Sequence, residues 1–200
     1  MHQPLLSHWT TMKCLFWYLY QTSSFRLRIA KEHDLRLLAY SDSDWARDPL
    51  DRTSTTCYVV YLGSSLVSWS STKQRSVSRS FTKAEYRVVA TTVSETNRLT
   101  SLLHELRFHI STTPRIFCGN VSNTYICANP VFHSRIKHIV INFHFVREQV
   151  QNKHIAPQHL HLVDQVVYIL TRPLLRASFV KHFSKLSVVD TTNLRRHNNG

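Results

Sequence analysis

The stretch TTCYVVYLGSSLVSWSS, residues 55–71, is the strongest constraint on the fold. Two runs of β-branched and aromatic residues meet at Gly63-Ser64-Ser65. That pattern predicts two strands joined as a hairpin, with Leu66, Val67 and Trp69 on the return strand. Just before it, LRLLAYSD (35–42) is a short apolar run of the length of a buried strand. Just after it, between Ser80 and Leu106, Ala84, Val88, Leu99, Leu102, Leu103 and Leu106 recur at helical spacing. Three consecutive strands feeding a long helix, with alternating helices and strands beyond, predict a mixed sheet flanked by helices.

The remaining elements are shorter. Trp9, Met12, Phe16 and Leu19 mark one face of an amphipathic helix within residues 5–20. SFRLRIAKEHD (24–34) reads as strand or loop. After Pro114, RIFCGN (115–120) is a strand that ends at Gly119, and VSNTYICAN (121–129) is a short helix. IKHIVINFHFVREQVQ (136–151) reads as mostly helix, and HIAPQHLHL (154–162) as a last strand despite Pro157. DQVVYILT (164–171) reads as a helix ended by Pro173, with Asp164 as its N-cap. RASFVKHFSKL (176–186) is a final short helix, and the tail after Asp190 is polar and expected to fray. The expected organisation is an appendage over 1–34, a sheet domain over 35–175, and a short helix with its tail over 176–200.

Charge narrows the partners. Lys and Arg number 25 against 12 acids, a net charge of +13, which favours nucleic acid first and anionic membrane second. Cys14, Cys57, Cys118 and Cys127 form no CxxC pair, so each is expected to act as a small buried hydrophobe in a reducing, intracellular compartment. His159-Leu-His161 lacks a Cys or carboxylate partner at zinc-ligand spacing, so no zinc is expected. No run reaches the ~18 apolar residues of a membrane span. CLFWYLY (14–20) follows a single Lys and lacks a small-residue cleavage site, so it does not read as a signal peptide.

Against this basic background, Asp42 and Asp44 close an apolar strand. Residues two apart on a strand share a face, and like charges there repel unless they hold a cation, cap a turn or meet water.

Several further stretches carry a family likeness. AYSDSDWA, DRTST, SWSSTKQRSVSRSFTKAEYRVVA, NPVFHSRIKHI, FHFVRE and DQVVYILTRPL resemble, in order and spacing, the ribonuclease H region of Ty1/copia retrotransposon Pol polyproteins. The opening MHQPLLSHWTTMKCLFWYLYQT resembles the end of the reverse transcriptase region that precedes it. The resemblance covers residues 1–189. It implies an RNase H-like α/β fold: a five-stranded mixed sheet, its first three strands antiparallel, with helices on both faces. It also implies hydrolysis of the RNA strand of an RNA–DNA hybrid, with the reverse transcriptase region as a partner in the same polyprotein. The family chemistry uses four carboxylates and two Mg²⁺ ions, hard cations that want oxygen ligands. Two such ions ~4 Å apart activate water and stabilise the departing oxygen.

The resemblance carries the four acids over unevenly. Asp42 matches the first, in YSDSDW, and Asp44 is its neighbour or a turn residue. Glu85 matches the second, in TKAEY, where an earlier family Glu is Lys83. The third is expected in a Cys-Asp-Asn pattern, but the sequence reads Cys118-Gly119-Asn120, and glycine offers no ligand atom. The fourth is expected where Tyr168 stands, and a phenol with a pKa near ~10 is neutral at pH 7. Two carboxylates leave at most one weak Mg²⁺ site. Other departures run the same way: Arg98 replaces a family Trp at a position expected to be buried, Arg47 a Gly, and Leu160-His161 a Val-Pro.

Nucleic-acid binding depends on distributed charge and can outlast catalysis. Lys73, Arg75 and Arg79 precede the long helix, and Arg135, Lys137, His138 and Arg147 lie further on; these are the expected phosphate contacts. They offer shape and backbone recognition rather than sequence readout. Three readings compete: a degenerate RNase H domain that is catalytically impaired, a weakly active hybrid-specific nuclease, and an element-derived fragment with only non-specific nucleic-acid binding.

Overall fold

A computed structural model describes residues 3, 5–31, 34–47, 50–119, 140–172 and 174–191. In chain order the elements are α1 (Leu6–Thr22), β1 (Phe25–Leu27), β2 (Leu37–Asp44), β3 (Thr55–Leu62), β4 (Ser65–Lys73) and α2 (Phe81–Glu105). There follow β5 (Arg115–Cys118), α3 (Val140–Gln151), β6 (Ala156–His159), a 3-10 turn at Leu162–Asp164, α4 (Tyr168–Thr171), α5 (Arg176–Phe183), a second 3-10 turn at Ser184–Leu186, and β7 (Val188–Asp190).

The expected sheet is present. Its order is β4-β3-β2-β5-β6, with β2, β3 and β4 antiparallel and β2, β5 and β6 parallel. The hairpin turns at Gly63-Ser64, with Leu62 opposite Ser65. Gly63 has a φ of 60°, which glycine adopts without a Cβ penalty. One register shift between Val60 and Tyr61 makes a bulge in this pair.

Helix α2 starts at Ser80, whose hydroxyl accepts the Lys83 N–H at 3.3 Å and satisfies a free helix donor. Its buried stripe includes Tyr86, Val89, Ala90, Val93 and Leu99. These pack with Leu37, Ala39, Val60 and Ile116 of the sheet and Phe143 and Val146 of α3. Each such aliphatic side chain contributes roughly 1.5–3 kcal/mol by leaving water. The same stripe carries Glu85 inward.

The chain divides into two compact units: one of residues 1–28 and 188–200, the other of residues 29–187. In the first, β1 pairs antiparallel with β7, Phe25 opposite Asp190 and Leu27 opposite Val188. Helix α1 forms over the expected residues, but none of them is buried, and Trp9, Met12, Phe16 and Leu19 are all exposed.

Local expectations are corrected in four places. Asp164 is no N-cap: it lies in a 3-10 turn and its Oδ1 meets Lys185 Nζ at 3.5 Å. The expected helix over 164–171 shrinks to α4: Gln165 lies outside any helix and Val166 and Val167 form a turn, all three buried. Arg98 is exposed rather than buried, its guanidinium paired with Glu95 at 2.7 and 2.8 Å. Cys14 is exposed, while Cys57 and Cys118 are buried as expected. The helix expected over 121–129 and Cys127 lie outside the described residues.

Candidate active site

Asp42 comes near the carboxyl end of β2, opposite Cys57 of β3. On the other side β2 runs parallel to β5, with Ser41 opposite Cys118, so Gly119 follows at the end of β5 beside Asp42. Glu85 reaches the same point from the first turns of α2, where its Oε1 accepts the Ser43 N–H at 3.2 Å. Tyr168 arrives on α4, whose Thr171 donates its hydroxyl to Asp42 Oδ2 at 2.9 Å. The fold thus gathers Asp42, Glu85, Gly119 and Tyr168 around the end of one strand. Asp42 and Glu85 are only 3% and 2% exposed, which places them inside the protein rather than on an open groove.

Burial governs their chemistry. Asp42 is pushed up to about 6, first by desolvation, with the Thr171 hydroxyl and the Arg172 charge opposing the rise. Glu85 is pushed up to about 8, by desolvation and then by the charge of Asp42. At pH 7 Glu85 therefore mostly holds its proton, while Asp42 has mostly lost its own. Tyr168 rises to about 12 by burial and by the Asp42 charge, so its phenol stays neutral. The guanidinium of Arg172, the residue that caps the end of this short helix, sits 4.6 Å from the Tyr168 ring centroid, a cation–π contact.

These residues do not fit two Mg²⁺ ions. Gly119 supplies no side-chain oxygen, Tyr168 supplies a neutral phenol, and a fixed cation already stands beside it. Among the described residues no three of His, Cys, Asp or Glu are grouped to hold a metal.

The basic residues fall in two places. Lys73 ends β4, with its Nζ 3.6 Å from Asp51 Oδ2, and Arg75 and Arg79 are exposed in the loop leading to α2. Arg147 is half-buried on α3. Arg135, Lys137 and His138 lie outside the described residues.

Four positioning residues escaped the sequence reading. Arg87 Nη1 donates to Ser76 O, Ser78 Oγ and Gln74 Oε1 at 2.8, 3.1 and 3.3 Å, pinning the basic loop to α2. Trp45 Nε1 donates to Ser78 O at 2.9 Å, tying the same loop to the end of β2. Gln165 and Thr171 bind the α4 segment to β2. Only the polar character of Gln165 and Thr171 within an apolar run gave any signal.

An antiparallel triplet extended by two parallel strands, with acids on the first strand and the first long helix, defines the RNase H-like fold. A solved structure described as LC11-RNase H1 in complex with RNA/DNA hybrid superposes with a TM-score of 0.50 at 8% identity, over 65% of this chain and 88% of that one. The Pol polyprotein of the Arabidopsis thaliana transposon RE2 is 47% identical over 189 residues, and that of RE1 is 47% identical over 188. The Pol polyprotein of the Nicotiana tabacum transposon TNT 1-94 is 28% identical over 179 residues. The chain is thus a close homologue of one stretch of the copia-type retrovirus-related Pol polyproteins. The match takes in 94% of this chain but spans only 13% of the length of the RE1 and RE2 polyproteins. No protein-family model matches the chain.

Proposed function

We propose that this RNase H-like retrotransposon domain has lost most of its hydrolytic power while keeping the ability to bind RNA–DNA hybrid. In this reading residues 1–34 are the end of the reverse transcriptase region, 35–175 the RNase H-like domain and 176–200 its trailing segment, in an intracellular setting. The observation that carries it is the make-up of the four gathered positions: two buried carboxyls, a glycine with no ligand atom and a neutral phenol. Binding rests on the exposed Arg75 and Arg79 and on the +13 charge, which the lost acids do not diminish. Among the described residues no helix is long and apolar enough to cross a membrane.

The test is cleavage of a labelled RNA–DNA hybrid by the chain in Mg²⁺. We expect a rate orders of magnitude below that of the RE2 homologue assayed alongside. The double reversion Gly119→Asp with Tyr168→Asp should recover more than the product of the two singles, because ligands that act as a unit are not additive. Ready cleavage by the unmodified chain, abolished by Asp42→Asn, would overturn the reading in favour of a weak nuclease built on the retained Asp42 and Glu85.

A further inference from the structure

We infer that the Asp42–Glu85 pair has become a closed docking point, which holds the 165–172 segment against the sheet and admits no divalent cation. The inference rests on the reading of the site as decayed. A metal-binding carboxylate must turn free lone pairs toward its ion. Asp42 Oδ2 accepts the Thr171 hydroxyl at 2.9 Å and Glu85 Oε1 the Ser43 N–H at 3.2 Å, so each carboxyl turns one of its two oxygens to the protein itself. Tyr168, 7% exposed, lies close enough to feel the charge of both carboxyls from the segment's side. The Arg172 guanidinium, 4.6 Å from that ring, supplies positive charge from within the chain and repels a second cation.

The segment is held at three further points, all from β2, β3 and the turn after β2. Gln165 Nε2 donates to Ser41 O at 3.1 Å. Arg47 Nη1 donates to Thr171 O at 2.9 Å, and Cys57 Sγ lies 3.7 Å from Leu170 O. With Asp42 and Glu85 only 3% and 2% exposed, the anchored segment must lift before a hydrated ion can reach them. Arg47 and Tyr168, read from sequence as drifted positions, are both part of this closure.

The experiment is thermal melting and Mn²⁺ titration of the full chain. A ligand at ~100 times its Kd raises the melting temperature by several degrees. We expect no shift at about 10 mM Mn²⁺, and no saturable Mn²⁺ site by water-proton relaxation. Thr171→Val and Asp42→Ala should each lower the melting temperature, and the double variant should lose less than the sum, since the partners share one bond. Asp42→Asn, which keeps an acceptor for Thr171, should melt close to the unmodified chain and keeps the comparison informative if Asp42→Ala fails to fold. A saturable Mn²⁺ site removed by Asp42→Asn would overturn the inference, as would strictly additive losses. Mn²⁺ binding without hybrid cleavage would defeat this inference alone and leave the functional proposal standing.

Discussion

Glu85 ties the stability of the protein to pH. In the unfolded chain it loses its proton near its ordinary 4.5; in the folded chain it holds it to about 8. Between those values folding takes up a proton, so stability falls as pH rises through the window and levels off above it. Asp42 acts in the same direction, from 3.8 to about 6. We therefore expect Glu85→Gln to flatten the dependence, so that the variant gains on the unmodified chain between pH 5 and pH 8. Urea unfolding at both values measures this, and a parallel dependence for the two proteins would refute it. Ala46 offers a second test: its φ of 52° costs a residue with a Cβ, and Ala46→Gly should stabilise the fold by on the order of 0.5–1 kcal/mol in the same assay. Asp42 and Glu85 were legible because a local motif surrounds each. Thr171 and Arg172 were not, since their roles exist only once residues 165–172 fold back on a strand more than a hundred positions earlier.

The elements that sequence predicted well are those with a long pattern and clear end signals. The 55–71 hairpin and α2 meet both conditions, and their ends fall within a residue or two of expectation. Periodicity names a face without naming what covers it, which is why α1 forms with no residue buried. The pairing of β1 with β7 joins three-residue strands some 160 positions apart, and strands so short carry no pattern of their own. Arg98 was misread because a position can be matched to a family without its burial being shared; here Glu95 takes its charge at the surface. Arg87 makes a prediction at this scale. One guanidinium nitrogen serves three acceptors in the 74–78 loop, so Arg87→Ala should speed amide exchange there. Exchange in β2 and β3 should stay unchanged; a uniform rise across the sheet would show that Arg87 supports the whole fold instead.

For the molecule as a whole, the excess of 25 basic over 12 acidic residues sets how it meets polyanions. Hybrid binding should weaken steeply with salt, with a logarithmic slope of roughly −0.9 per phosphate contact if the duplex behaves as B-form DNA. Filter binding across a salt series reads this directly, and a flat response would reduce the charge to a solubilising coat. The fold class was legible because three strands and a long helix arrive in an unbroken order; the way the chain closes on itself was not, and that closure has a mechanical side. Because β1 and β7 are antiparallel and pair Phe25 with Asp190 at their outer end, tension applied at residues 25 and 190 meets the ribbon end-on. Its bonds are then loaded one after another, like the teeth of a zip, and not together as in a sheared pair. Under traction the ribbon should open first and at low force, and only then does the load pass along the chain to the 29–187 unit.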